Sequence, residues 1–469
     1  MPYFLLAFIL IVSATAPSAS SQSGDTVRRH AFPVASLFPS STCPVSSAIE
    51  EDVDRESIPR VIHQDSPCGP LSSNNDCQDL ARLFRLEEER VVTIQSKLSG
   101  GIIKGRDSSF PSGNVSLPAN SGIKLGVLNY VVKIGLGTPP MDLTLAFDTG
   151  SDLTWTQCQP CARSCYNQVD EIFDPSRSSS YANVSCTSTT CTQIASGTAS
   201  MPSCPESTCV YGQLYNDNSY TFGFYGTERL TLSPKDVIDN FLFGCGQNNS
   251  GIYGMADGLL GLGRGNLSLV VQTASHYGQY FSYCLPDTSS SSGYLNFGNN
   301  GNSSAAFTPM LTLSYPTYYG IDLVGISVGM NQLSISPSIF SNAGTIIDSG
   351  TAFTHLPQTA YDALRDAFRQ EMSNYPMASP NPSLDTCYDL SNYDNASIPS
   401  VTFTFGGGVR VNLVRNGIVY TISRSQVCLA FQGNGDDSSM GIFGSTQQRL
   451  FKVIYDIPRR QIGFAPNGC

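Results

Sequence analysis

Ala146-Phe147-Asp148-Thr149-Gly150-Ser151 is answered 200 positions later by Ile346-Ile347-Asp348-Ser349-Gly350-Thr351. Asp and Gly favour turns, so either hexapeptide alone reads as a loop. The pair reads differently, because its surroundings repeat as well. A Tyr-led, strand-like stretch precedes each copy, Tyr130-Val-Val-Lys-Ile-Gly-Leu-Gly in one case and Tyr319-Gly-Ile-Asp-Leu-Val-Gly-Ile in the other. An apolar-apolar-Gly element follows each, Leu259-Leu260-Gly261 and Ile442-Phe443-Gly444. Three elements in the same order, twice, argue for duplicated halves. The fold class expected is mainly β, with two related lobes and one aspartate from each at a shared cleft.

Two carboxyls held about 3 Å apart cannot both ionise easily, so they share a proton. One can then take a proton from water while the other polarises a carbonyl, which is enough to hydrolyse a peptide bond. The glycines Gly150 and Gly350 let the two loops approach closely. The hydroxyls of Thr149, Ser151, Ser349 and Thr351 can hold loops and carboxylates in place.

Composition sets the frame around this pair. The chain has 469 residues, 13% of them charged, and a formal net charge of −11. That length exceeds one ordinary domain and suits two lobes plus a leading segment. Abundant Gly, Ser, Thr, Tyr and Asn fit short strands joined by turns. An acidic surface with few lysines argues against nucleic acid or anionic membrane as partner. Protein or peptide substrates, no membrane association, no cofactor, no metal and a monomeric state are expected.

The start, Met1 to Val12, is apolar and passes into the small-residue run Ser13–Ser21. It is too short to span a bilayer and reads as a secretory signal over residues 1–20. Residues 21–125 read as a removable propeptide. Within it, Cys77–Leu98 has the periodicity of an amphipathic helix bearing Arg82, Arg85, Arg90 and Lys97, cations that could meet an acidic cleft. A Gly/Ser-rich linker, Ser99 to Gly126, is expected to carry the activating cut. The lobes are assigned to 129–310 and 317–469. Twelve of the fifteen cysteines follow residue 129. An even dozen behind a secretory start implies about six disulfides. Sequons at Asn114, Asn183, Asn248, Asn266, Asn302 and Asn395 fit the same route. The extracellular space (the apoplast of a plant) is the expected location, with vacuole or plastid as the alternative.

Asp148-Thr-Gly-Ser-Asp-Leu-Thr-Trp155, Asp348-Ser-Gly-Thr351 and the two apolar-apolar-Gly elements resemble the pepsin family of aspartic peptidases. The twelve cysteines and a Cys-rich insertion after Trp155 resemble its plant nepenthesin-type branch. Ser66-Pro-Cys-Gly-Pro-Leu71 and the ending Gly463-Phe-Ala-Pro-Asn-Gly-Cys469 are similar to the subgroup with the chloroplast-nucleoid DNA-binding protease and apoplastic relatives. The resemblance implies a secreted endopeptidase, made as a zymogen, with Asp148 and Asp348 catalytic. It implies a hairpin flap carrying Tyr215, hydrogen-bonded by Trp155, with Asn216 and Asn218 where the family has glycines. It further implies the pairings Cys158–Cys161, Cys165–Cys245, Cys186–Cys209, Cys191–Cys204, Cys284–Cys469 and Cys387–Cys428. The alternative is a non-catalytic pepsin-like binding or inhibitor protein, from which the intact motifs argue away.

Other chemistries have weaker claims. Cys158-Gln-Pro-Cys161 lacks the βαβ setting of a thiol-redox site. Gly325-Ile-Ser327-Val-Gly329 lacks the strand-to-helix turn of a nucleophile elbow. His276 and His355 read as structural, and Pro357–Met372 as a packing helix.

Overall fold

The computed structural model describes residues 29–33, 76–98, 113–121, 125 and 128–469, apart from 196–203, 205–206, 215–218, 252, 288–292, 300–303 and 424–425. The two halves are built on one plan. In the first, Tyr130–Leu136 pairs antiparallel with Met141–Asp148, matching Val131 to Ala146. Met141–Asp148 pairs parallel with Gly258–Gly261, so that Gly261 lies beside Asp148. Trp155–Gln157 then runs antiparallel to Gly258–Gly261 and parallel to Asp236–Ser250. In the second half, Tyr319–Ile321 pairs antiparallel with Thr345–Ile347, which pairs parallel with Gly441–Phe443. Thr354–Leu356 meets Gly441–Phe443 antiparallel and Phe431–Gly433 parallel. The strands rich in Val, Ile, Leu and Phe are buried on both faces, which is why they read as continuous apolar runs rather than alternating ones.

A run of six antiparallel strands within the same large sheet joins the halves. Val115–Ser121, Gly293–Phe297, Tyr280–Cys284, Lys452–Asp456, Gln461–Ala465 and Ala306–Leu311 pair in that order, each antiparallel to the next. Its core is aromatic: Phe281 stacks on Tyr455 with ring centroids 4.3 Å apart. Val115–Ser121 corrects the linker reading. Val115, Leu117 and Ala119 are buried, and the strand also pairs with Tyr130–Leu136. Its partner Gly293–Phe297 is remote in the chain, so local Ser and Pro content hid a strand that tertiary pairing creates.

The helix expected over Cys77–Leu98 spans Asp76–Leu98, and the packing helix spans Gln358–Glu371 with Tyr361, Leu364 and Phe368 buried. The described residues contain six disulfides, two of them the expected Cys284–Cys469 and Cys387–Cys428. The other four differ from those the resemblance implied. Cys158 pairs with Cys245 because Trp155–Gln157 lies alongside Asp236–Ser250, setting Thr156 opposite Cys245. Cys161 closes a short loop with Cys165. Cys191, buried on the helix Thr189–Ala195, meets the buried Cys209, which leaves Cys186 to Cys204. Among the sequons, Asn114, Asn183, Asn266 and Asn395 are exposed, Asn248 is half-buried, and Asn302 lies outside the described residues. So does the signal segment. No helix among the described residues is long and apolar enough to cross a membrane.

Candidate active site

Each aspartate stands where a buried strand gives way to its turn. Asp148 closes Met141–Asp148, and Asp348 follows Thr345–Ile347. Both are essentially inaccessible, with 1% and 0% exposure. Their hydrogen bonds repeat by role. Gly150 N donates to Asp148 Oδ1 at 2.8 Å and Ser151 Oγ to Oδ2 at 2.6 Å. Gly350 N donates to Asp348 Oδ1 at 3.0 Å and Thr351 Oγ1 to Oδ2 at 2.6 Å. The loops also clasp each other. Thr149 N donates to Ser349 Oγ at 3.1 Å, and Ser349 N donates to Thr149 Oγ1 at 2.9 Å. A Cβ on Gly150 would lie 2.9 Å from Asp348 Oδ1, and one on Gly350 would lie 2.2 Å from Asp148 Oδ1. Only glycine admits each loop over the opposite carboxylate. The repeat extends further than the sequence reading took it. Thr154 and Thr354, each six residues past its aspartate, accept through Oγ1 from Gly261 N at 3.2 Å and Gly444 N at 3.0 Å.

A cation sits between the carboxylates. Arg90 Nη2, from the N-terminal helix, donates to Asp148 Oδ1 at 2.7 Å and to Asp348 Oδ2 at 3.0 Å. Its Nε reaches Thr351 Oγ1 at 3.3 Å. Burial pushes both carboxyls up. At Asp148 the Arg90 charge, Ser151 and the Gly150 N–H outweigh burial and hold the group below the usual range. At Asp348 burial, with the Asp148 charge, outweighs Arg90 and keeps the group raised. With Arg90 in place, the two environments push the pair apart. Of the other cations named from the sequence, Arg85 is exposed, Lys97 is partly buried and the Arg82 side chain lies outside the described residues.

Sequence reasoning missed three contributors. Glu87, one turn before Arg90, is buried and accepts from Ala352 N, just past Thr351. Burial raises its carboxyl to about 7 against the pull of Arg90. Gln448 Nε2 donates to the carbonyls of Asp348 at 3.2 Å and Phe443 at 2.7 Å, while Tyr283 donates to its Oε1. Tyr283 is in turn 2.8 Å from the Tyr455 hydroxyl, so the joining strands prop the Asp348 loop from beneath. Phe84 is fully buried against Phe353 and Tyr420. The usable signal was spacing: Phe84, Glu87, Arg90, Val91 and Ile94 share one helical face.

Of the hairpin expected to be the flap, only the stem lies among the described residues. Val210–Leu214 pairs with Tyr220–Ser233, setting Leu214 opposite Tyr220. The tip, with Tyr215, Asn216 and Asn218, lies outside the described residues. Tyr211 is buried in the stem, 2.8 Å from Thr221 Oγ1. Trp155 is fully buried edge-on to Tyr253 at 4.7 Å, and its Nε1 has no hydrogen-bond partner among the described residues. The rival motifs are accounted for. Cys158 and Cys161 are in separate disulfides, and Ser327 sits within the strand Leu323–Val328. Burial pushes His355 down to about 3, so it is neutral.

Residues 130–299 match the family model described as "Xylanase inhibitor N-terminal", and 318–466 match "Xylanase inhibitor C-terminal". An aspartyl protease family protein of Arabidopsis thaliana is 47% identical over 94% of this chain and 93% of its own length. Aspartyl protease AED1 of the same plant is 46% identical, covering 96% and 94%. Aspartic proteinase nepenthesin-2 of Nepenthes gracilis is 36% identical, covering 78% and 85%. Among solved structures, Basic 7S globulin from soybean superposes with a TM-score of 0.61 over 76% of this chain and 97% of its own, at 24% identity, a likeness of fold alone. With both halves matched and curated relatives alike over nearly their whole length, the chain belongs to the plant branch of the pepsin-like aspartic peptidases.

Proposed function

We propose that this peptidase is a secreted endopeptidase, made as a zymogen, that hydrolyses peptide bonds in proteins with water activated by Asp148 and Asp348. The observation that carries the reading is the Arg90 guanidinium between two buried carboxylates. One positive charge there stands in for the shared proton of a working pair. Once Arg90 leaves, the pair binds a proton and a water in its place. One carboxylate of the pair takes a proton from the water as it attacks the carbonyl carbon. The other carboxyl gives its proton to the carbonyl oxygen. The tetrahedral intermediate then collapses, the amide nitrogen leaves protonated, and the pair regains its single proton.

The zymogen reading rests on the same contact together with the order of parts: apolar start, helix, then the first strand of the lobe. The strand Val115–Ser121 narrows the expected activating cut to the stretch between the helix and residue 113. Secretion to the apoplast, with vacuole or plastid as alternatives, rests on the apolar start, the sequons and the six disulfides. The competing reading, a non-catalytic binding or inhibitor protein, draws on the description of the matching family models; both aspartate loops being complete favours hydrolysis. Purified precursor brought to acid pH with a protein substrate tests the function. Cleavage blocked by pepstatin is expected, and no cleavage after removal of the N-terminal segment would overturn the reading.

A further inference from the structure

The N-terminal helix fills more than the space between the aspartates. Phe84 is fully buried, its ring 5.4 Å from that of Phe353 and 5.7 Å from that of Tyr420. Those two rings meet each other at 89° with centroids 5.2 Å apart, so they form a corner rather than a flat wall. Ala352, Leu384, Ala430 and the Cys387–Cys428 bridge complete the pocket. Every one of these buried wall residues belongs to the second half of the chain; the plug and the partly buried Leu128 packed against the cluster come from outside it. Ala352 and Phe353 directly follow Thr351, so the pocket is tied covalently to the Asp348 loop.

Removing the helix leaves an apolar, aromatic-walled hole beside the reacting pair, and burying a side chain there is favourable. We propose that this pocket is a specificity subsite for an aromatic side chain of the substrate, with Phe84 as its built-in stand-in. The proposal rests on the peptidase reading above. Phe84 precedes Arg90 by six residues, about 9 Å along a helix. An extended peptide covers that distance in about three residues, so the favoured aromatic lies two or three residues from the scissile bond. Glu87, between the two anchors, takes the Ala352 N–H. A main-chain carbonyl of an extended substrate would accept the same hydrogen bond, which aligns the peptide between pocket and pair.

The test is cleavage of a mixed peptide library by the processed enzyme, followed by kcat/KM on matched peptides bearing Phe or Ala at the selected position. Wild type is expected to prefer Phe, Tyr or Trp over Ala by about tenfold or more at one fixed position two or three residues from the cut. Tyr420→Ala, which opens the corner, and Ala430→Phe, which fills the hole, should each lower the Phe-to-Ala ratio by about tenfold. Reading a ratio within each variant removes any general loss of folded enzyme. Cleavage without aromatic enrichment at that position, or a ratio unmoved in both variants, would overturn the subsite while leaving the peptidase reading in place. A processed wild type that cuts no peptide would remove both.

Discussion

Arg90 Nη2 bonds one oxygen of each aspartate, and this fixes what its removal should do. Breaking one partner out of a buried ionic cluster costs about 3–5 kcal/mol and leaves like charges unopposed. The carboxylates then recover by sharing a proton, which is their working state. A precursor carrying Arg90→Ala, with its linker made uncuttable, should therefore turn over a fluorogenic peptide at least about tenfold faster than the uncuttable parent near neutral pH. Equal silence in the two would show that latency comes from the bulk of the helix rather than from its charge. At this scale the sequence was informative where chemistry repeats and poor where burial decides. Asp148, Asp348 and their hydroxyl neighbours stood out because they occur twice. Arg90 was visible only as one of four cations, since nothing local distinguishes it from the exposed Arg85. Glu87 stands beside Glu88 and Glu89, and nothing local marks it as the one whose carboxyl is buried.

The helix Asp76–Leu98 binds its cleft with two opposed responses to pH. The Asp148 carboxyl is held below the usual range, so its share of docking is present at neutral pH and lost as pH falls through that depressed value. Glu87 works in the other direction. Its carboxyl is raised from 4.5 to about 7, so its share is complete below 4.5 and lost as pH rises through about 7. That shift corresponds to roughly 3 kcal/mol between the ends of the window. Acid alone is thus not the whole release signal. Glu87→Gln keeps an acceptor for Ala352 N and removes the charge. Limited proteolysis of the precursor between pH 5 and 8.5 should show the wild-type helix becoming more susceptible through about pH 7, and the variant staying protected. Parallel curves would place the alkaline response elsewhere. Elements with their own periodicity, this helix and Gln358–Glu371, were legible to within a residue or so. Val115–Ser121 was not, because its order is supplied by Gly293–Phe297, whose place beside it no local pattern announces.

Across the whole molecule, duplication is the feature that a sequence displays best, since each half annotates the other. The two-lobed plan and the meeting of both aspartates follow from it. The disulfide pattern does not, because it depends on which strands lie side by side. Mass spectrometry of the mature protein should find no alkylated cysteine without reduction, and peptides linking Cys158 to Cys245 and Cys191 to Cys209. A Cys165–Cys245 link would reverse the pairing in the first half. The claim on which the rest depends is that each half contributes one of two carboxyls to a single hydrolytic site. Protein hydrolysis at acid pH by wild type and by Asp348→Asn, each freed of its N-terminal segment by an added protease, tests it most directly. The account predicts a loss of at least about a thousandfold in kcat for Asp348→Asn, with a melting temperature no lower than wild type. Pepstatin-sensitive hydrolysis by the folded variant at a rate near wild type would contradict it.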